Sequence, residues 1–191
     1  MDRKGKIIIL SAPSGSGKST IINALIGDPG LRLQFSISAT SRAPRGQEQN
    51  GREYYFLTPE EFRLRVESGD FVEYEEVYAG TCYGTLYSEV ERVTGSGHNL
   101  IMDVDVKGGV NIKKKFGREA LSIFIMPPDI EALEARLRGR ATDSEDKIAE
   151  RLAKADYEMT FAPQFDACVV NDSLHEAVTE VRRLILQFIN S

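Results

Sequence analysis

The residues with the strongest chemical signature are Ala12-Pro13-Ser14-Gly15-Ser16-Gly17-Lys18-Ser19, followed by Thr20. The run matches G-x-x-x-x-G-K-[ST] except at its first position, where Ala12 stands for glycine. Gly15 and Gly17 let the backbone turn its N–H groups inward around phosphate oxygens. A helix starting near Lys18 adds its positive dipole end. Lys18 can reach the β- and γ-phosphates of a nucleoside triphosphate, and the Ser19 hydroxyl can bind Mg²⁺. The Ala12 methyl is tolerable if that residue keeps φ below zero. The plainer alternative is a Gly/Ser-rich turn that binds nothing. An aliphatic strand just before the loop and a helical stripe just after it weigh against that alternative.

A second cationic element follows at Thr40-Ser41-Arg42-Ala43-Pro44-Arg45. Two guanidinium groups three residues apart, on a segment stiffened by Pro44, can fork onto one phosphate. By itself such a run is more often a solvated basic loop. Tyr54 and Tyr83 could donate hydroxyls to the same phosphate, although each alone would more often be core.

These groups need a scaffold, and the hydrophobic pattern supplies one. Ile7-Ile8-Ile9-Leu10 reads as a buried strand, and Ile21, Ile22, Leu25 and Ile26 form a helical stripe that Gly27 and Pro29 stop. Short strands are expected over 35–38 and 54–57, and another over 71–78. Thr58-Pro59-Glu60-Glu61 has the form of a capping box with proline at the first helical position. Further helices are expected over 88–94, from about 109 to 116, from Asp129 through Leu137, and from Asp143-Ser144-Glu145 through Met159. Buried strands are expected over 100–104, 121–126 and 167–170, and a closing amphipathic helix runs from Leu174 to Phe188. Aliphatic strands alternating with helices imply an α/β fold with a parallel sheet covered on both faces. The polar middle, from residue 38 to about 87, reads as an inserted lobe.

Composition narrows the partners. A formal net charge of -5 argues against a broad nucleic-acid surface, so anion-binding cations must be concentrated locally. No apolar run approaches the roughly 20 residues that span a bilayer, and no targeting segment is visible. Cys82 and Cys168 form no C-x-x-C pair and no ligand cluster with His98 or His175. Free thiols point to the cytoplasm. Asp105-Val106-Lys107-Gly108 fits the DxxG switch pattern of GTPases, but no NKxD base-reading sequence accompanies it.

Several segments, in order, resemble guanylate kinase: Ser-Ala-Pro-Ser-Gly-Ser-Gly-Lys-Ser (11–19), Phe-Ser-Ile-Ser-Ala-Thr-Ser-Arg-Ala-Pro-Arg (35–45), Asn-Gly-Arg-Glu-Tyr-Tyr-Phe (50–56), Tyr-Gly-Thr (83–85), Met-Asp-Val-Asp-Val-Lys-Gly (102–108), Arg-Leu-Arg-Gly-Arg-Ala-Thr-Asp-Ser-Glu (136–145) and Val-Val-Asn-Asp (169–172). They cover nearly the whole chain. The resemblance implies a P-loop core (1–37, 88–126, 160–191), a GMP-binding lobe (38–87) and a helical lid (127–159). It implies Mg²⁺-dependent transfer of the ATP γ-phosphoryl to GMP, with dGMP a further acceptor, by a cytoplasmic monomer or homodimer that binds neither nucleic acid nor membrane. Residues 12–20 would hold ATP phosphates, with Asn171 near the adenine edge. Ser38, Arg42, Arg45, Tyr54, Glu73, Tyr83, Thr85, Asp103 and Asp105 would form the GMP side, with Asp103 also supporting Mg²⁺. Lys18, Arg42 and the lid arginines Arg140 and Arg151 would serve the transfer itself; Arg136 reads as a charged helix end. Rival expectations are a scaffold domain that has lost phosphotransfer, or a related kinase for AMP, UMP or dGMP.

The residue types suit that chemistry. Guanine offers two donors, N1–H and the 2-amino group, and O6 as an acceptor; a carboxylate such as Glu73 matches the donors and a hydroxyl such as Thr85 matches O6. The attacking phosphate has a second pKa of about 6 and is mostly dianionic at neutral pH. Charge neutralisation and in-line positioning are then the main requirements. Three departures from the family pattern stand out: Ala12, one extra residue between Glu73 and Tyr83 with Glu75 and Glu76 close by, and Ala141 where glycine or asparagine is usual.

Overall fold

The computed structural model describes residues 4–78, 80–139 and 144–191. Strand β1 (Ile7–Ser11) is buried along its whole length, the mark of a strand covered on both faces. The phosphate loop follows it and runs into α1 (Lys18–Leu25) and then β2 (Leu33–Phe35). Next come β3 (Ala39–Thr40), β4 (Tyr55–Phe56), α2 (Pro59–Glu67), β5 (Phe71–Tyr78) and β6 (Thr81–Leu86). The chain continues through α3 (Tyr87–Gly95), β7 (Asn99–Asp103), α4 (Val106–Phe116), β8 (Ala120–Met126), α5 (Ile130–Gly139), α6 (Glu145–Met159), β9 (Ala167–Val170) and α7 (Leu174–Ile189).

Two sheets result. The larger is parallel, in the order β2-β7-β1-β8-β9. Side chains alternate across it. Ile8 and Leu10 join Ile21, Ile22 and Leu25 of α1 and Val181 and Ile185 of α7 on one face. Ile7 and Ile9 join Val90 and Val93 of α3 and Ile112 of α4 on the other. The smaller sheet, in the order β4-β3-β6-β5, is antiparallel except where β3 meets β4. It has its own core, in which Phe62 and Phe71 stack at 4.4 Å between ring centroids. The capping box forms: Glu61 N donates to Thr58 Oγ1, and Thr58 N donates to Glu61 Oε2.

The α/β expectation is met, with local differences. The strand expected over 35–38 is divided between the sheets. Ser36 N still donates to Ile101 O at 3.0 Å on the large sheet, whereas Ser38 O accepts from Tyr55 N at 2.9 Å in the small one. Helix α4 starts at Val106, not near 109, because Asp105 Oδ1 accepts from Gly108 N at 2.6 Å and caps a glycine-rich first turn. Strand β6 has little alternation and was not expected; β3 and β5 pair with it on either side. Among the described residues, no helix is long and apolar enough to cross a membrane.

Candidate active site

The loop between β1 and α1 has the backbone its glycines permit. Gly15 has φ +94° and Gly17 has φ +87°, a region that costs a side-chain-bearing residue about 1 kcal/mol or more. Space is short as well. A Cβ on Gly17 would lie 2.4 Å from Asn171 Nδ2, and one on Gly15 would lie 2.9 Å from Leu137 Cδ2 of α5. Ala12 keeps out of the left-handed region, where Arg32 is the only non-glycine among the described residues. Its methyl packs into the core beside Ile8 and Leu10, so the departure from glycine costs the loop nothing. Residues 12–20 line a cleft of about 370 Å³ with Asp103, Val104, Asp105 and Glu158. Lys18 Nζ pairs with Asp103 Oδ1 at its mouth.

The structure adds neighbours to two sequence assignments. Asp103, grouped with the acceptor residues, sits in the phosphate-loop cleft, because β7 lies beside β1 and ends level with the loop. Asn171, expected near an adenine edge, is buried, and its Nδ2 donates to Ser16 O at 2.8 Å. It therefore braces the loop from behind. Arg136, read as a helix-end charge, donates from Nη2 to the Asn171 carbonyl at 2.7 Å and so supports the brace.

A second cleft, of about 520 Å³, is lined by Glu73, Glu75, Asp105, Lys107, Asn111 and Lys115, among others. Asp105 belongs to both clefts, so they open along a common wall. Glu73 and Thr85 face each other across β5 and β6, and Thr85 Oγ1 donates to Glu73 Oε1 at 3.0 Å. Burial raises the Glu73 carboxyl above its ordinary value. Glu75 lines the same cleft within hydrogen-bonding reach of Asp105. That hydrogen bond, with burial second, pushes Glu75 up to about 7. Burial opposes the charge on Asp105, yet the bonds from Glu75 and from the Gly108 N–H hold its carboxyl below the ordinary value.

Arg42 is half-buried. Nη1 and Nη2 each lie 2.7 Å from one oxygen of Glu48, Nη1 also donates to Ala43 O at 2.9 Å, and Nε donates to Tyr83 Oη at 3.2 Å. Its guanidinium carbon stands 5.0 Å from the Tyr54 ring centroid and 5.6 Å from that of Phe56. Tyr54 and Tyr83, expected as hydroxyl donors, are thus also the aromatic walls of the Arg42 niche. The Arg45 side chain is exposed, and Ser38 lies where the chain crosses between sheets.

Arg151 lies on α6 one and two helical turns before Ala155 and Glu158, on the face that carries those two buried residues. Arg140 lies outside the described residues. Glu158 was not anticipated. It is 6% exposed, faces the Ser14 backbone N–H, and has Oε2 without a partner among the described residues. Burial is what raises its carboxyl. Glu48 and Glu89 were missed as well. The available signals were an acid inside a basic loop for Glu48, and acids at buried-face spacing beside Val93 for Glu89 and beside Ala155 for Glu158. Among the described residues, no cluster of three or more His, Cys, Asp or Glu could hold a metal by itself. Ser19 and Asp103 nevertheless offer oxygen donors at one cleft, which suits a hard cation that keeps most of its water and takes phosphate oxygens.

A parallel sheet of this order, with a glycine-lined loop, Lys18 and a helix N-terminus at the end of its central strand, defines a P-loop nucleotide-binding protein. The sequence model of the family described as guanylate kinase matches residues 4–188. The guanylate kinase of Bacteroides thetaiotaomicron is 59% identical over 97% of this chain and 91% of its own length. That of Porphyromonas gingivalis is 59% identical over 96% and 98%. The crystal structure of guanylate kinase from Anaplasma phagocytophilum superposes with a TM-score of 0.71 at 27% identity, covering 99% of this chain and 88% of that one. The chain belongs to the guanylate kinase family.

Proposed function

We propose that this protein transfers the γ-phosphoryl group of ATP to GMP, giving ADP and GDP, and that dGMP is a second acceptor. The observation that carries this reading is the shared wall: the phosphate-loop cleft and the cleft that Glu73 lines both include Asp105. A donor in one and an acceptor in the other would be neighbours, as transfer without a covalent intermediate requires. In this reading the core around β1 holds ATP, the small-sheet lobe (38–87) holds GMP, and the α5–α6 hairpin (127–159) is the lid that brings Arg151 and Arg140 over the transferring group.

Each side chain then has a task. Backbone N–H groups of residues 14–19 cradle the phosphates, and Lys18 exchanges Asp103 for a phosphate oxygen. Glu73 accepts from guanine N1–H and the 2-amino group, while the Thr85 hydroxyl meets O6. Adenine would present an unprotonated N1 to Glu73 and leave a buried acid unpaired, which supports discrimination on the order of 10⁴-fold. Arg45 and the tyrosine hydroxyls receive the acceptor phosphate beside Arg42. Ser19 and Asp103 would hold Mg²⁺, which supplies charge neutralisation between the β- and γ-phosphates when bound. Two free thiols, Cys82 and Cys168, fit a cytoplasmic setting.

The test is a coupled ADP-release assay with ATP, Mg²⁺ and a panel of nucleoside monophosphates. GMP and dGMP should be turned over at least about 10³-fold more efficiently than AMP, CMP or UMP. Equal or faster turnover of AMP would overturn the assignment of Glu73 and Thr85 as guanine readers.

A further inference from the structure

We infer that Glu48 is the positioning residue of the acceptor-phosphate site: it fixes the Arg42 guanidinium and the backbone of Arg45 before any acceptor arrives. The inference rests on the reading of this lobe as the GMP site and adds a residue to it.

The geometry is that of a lock. Guanidinium has five N–H donors. In Arg42 four of them are engaged: Nε by Tyr83, both hydrogens on Nη1 by Ala43 O and Glu48, and one on Nη2 by Glu48. One N–H is left for a ligand. Glu48 Oε2 does a second job, accepting from Arg45 N at 2.8 Å. One carboxylate thus joins the first arginine's fork to the second arginine's backbone, closing residues 42–48 into a ring. The Arg42 plane is held between that carboxylate and the Tyr54 and Phe56 rings. Charge balance gives the division of labour. Arg42 is already neutralised by Glu48, so the net positive charge offered to a phosphate comes from the exposed Arg45.

The opposite arrangement would have Glu48 stand in the phosphate's place and leave when GMP binds. Three features disfavour it. Expelling the carboxylate would break both fork bonds at once. It would also leave the Arg45 N–H without an acceptor. Finally, the Arg42 hydrogen bonds, with the Arg45 N–H next, hold the Glu48 carboxyl far down, at about 2, so the acid stays charged and paired at any working pH.

The two arrangements predict opposite signs. In Glu48→Gln the amide can accept at one oxygen only and turns an N–H toward the guanidinium, so the fork cannot close. A lock predicts that KM for GMP rises about tenfold to a hundredfold, with KM for ATP unchanged and kcat changed far less. Glu48→Asp, one methylene shorter but still charged, should fall between Gln and the parent. A fall in KM for GMP would overturn the inference in favour of a displaced competitor. Unchanged KM for GMP, or equal rises for GMP and ATP with a lower melting temperature, would overturn it in favour of a merely structural loop contact. If Glu48→Gln does not fold, Glu48→Asp carries the same comparison. Titration with inorganic phosphate keeps this test separate from the acceptor's identity. The parent should bind phosphate more tightly than either variant even if GMP proves not to be the substrate, and equal phosphate affinity would count against the lock.

Discussion

Asn171 and Gly17 have to be understood as a pair. The asparagine amide fills the space a side chain at Gly17 would need, and its donation to Ser16 O sets the plane of the next peptide in the phosphate loop. Its own N–H and carbonyl are tied to Met126 O and Arg136, so the amide is aimed by the end of β8 and by α5. Asn171→Ala would strip a buried carbonyl of its donor, a loss of about 1–3 kcal/mol. The expected result is a rise of about tenfold in KM for ATP, with KM for GMP untouched and with no change in preference between ATP and GTP as donor. Steady-state kinetics with both donors would check it. An altered donor preference would return Asn171 to the adenine edge, where its place in the sequence suggests it.

At the scale of elements, the junction of the two sheets is held by a single buried acid. The Glu89 side chain is wholly inaccessible at the start of α3. It accepts from Arg92 at 2.8 Å twice, from Tyr55 Oη of β4 at 2.8 Å, and from Ile37 N at 2.9 Å. Ile37 lies in the crossing segment, so core helix, lobe strand and connection meet on one carboxylate. Glu89→Ala leaves a tyrosine hydroxyl and a backbone N–H without acceptors, while the partly exposed Arg92 can return to water. A loss of about 3 kcal/mol is expected, or roughly 6–12 °C in melting temperature for a chain of this size. Calorimetry would measure it, and an unchanged melting temperature would show that water replaces the carboxylate. The sequence hides this junction. Hydrophobic period made the strands of the large sheet legible, since Ile7 to Leu10 and Ile123 to Ile125 are buried on both sides. It cannot show that residues 35–38 change sheets, because that depends on which strand accepts each backbone bond. Motif spacing likewise brought out Lys18 and Arg42, and the family resemblance added Glu73 and Thr85. It was silent on Glu48, whose importance comes from how its own loop folds back on Arg42 and Arg45, and on Glu89 and Glu158, whose importance comes from partners distant in the chain or from burial.

Across the whole molecule, the acids with shifted carboxyls among the described residues divide by the direction of the shift. Those held below their ordinary values, namely Asp28, Glu48, Glu61, Asp105, Glu145 and Glu180, lie on arginine pairs or on helix caps, and of these only Asp105 lines the clefts. Those raised, Glu73, Glu75 and Glu158, all line the two clefts. A protein of net charge -5 that must admit two polyanions gains by making several of the acids nearest to them harder to ionise. The cost is a stability that depends on pH. An acid raised in the folded state contributes in full below its unfolded value, 4.5 for glutamate, and loses that contribution as pH climbs through the folded value, about 7 for Glu75. Glu75→Gln imitates the protonated acid at every pH, since its amide N–H still reaches Asp105. The melting temperature of the parent should therefore fall relative to this variant between about pH 5 and pH 8, and the two should keep a constant separation below about pH 4. Thermal melts in a series of buffers at constant ionic strength would show it. Curves that stay parallel from pH 5 to pH 8 would mean that Glu75 is ionised throughout and that the cleft admits phosphate against a full acidic wall.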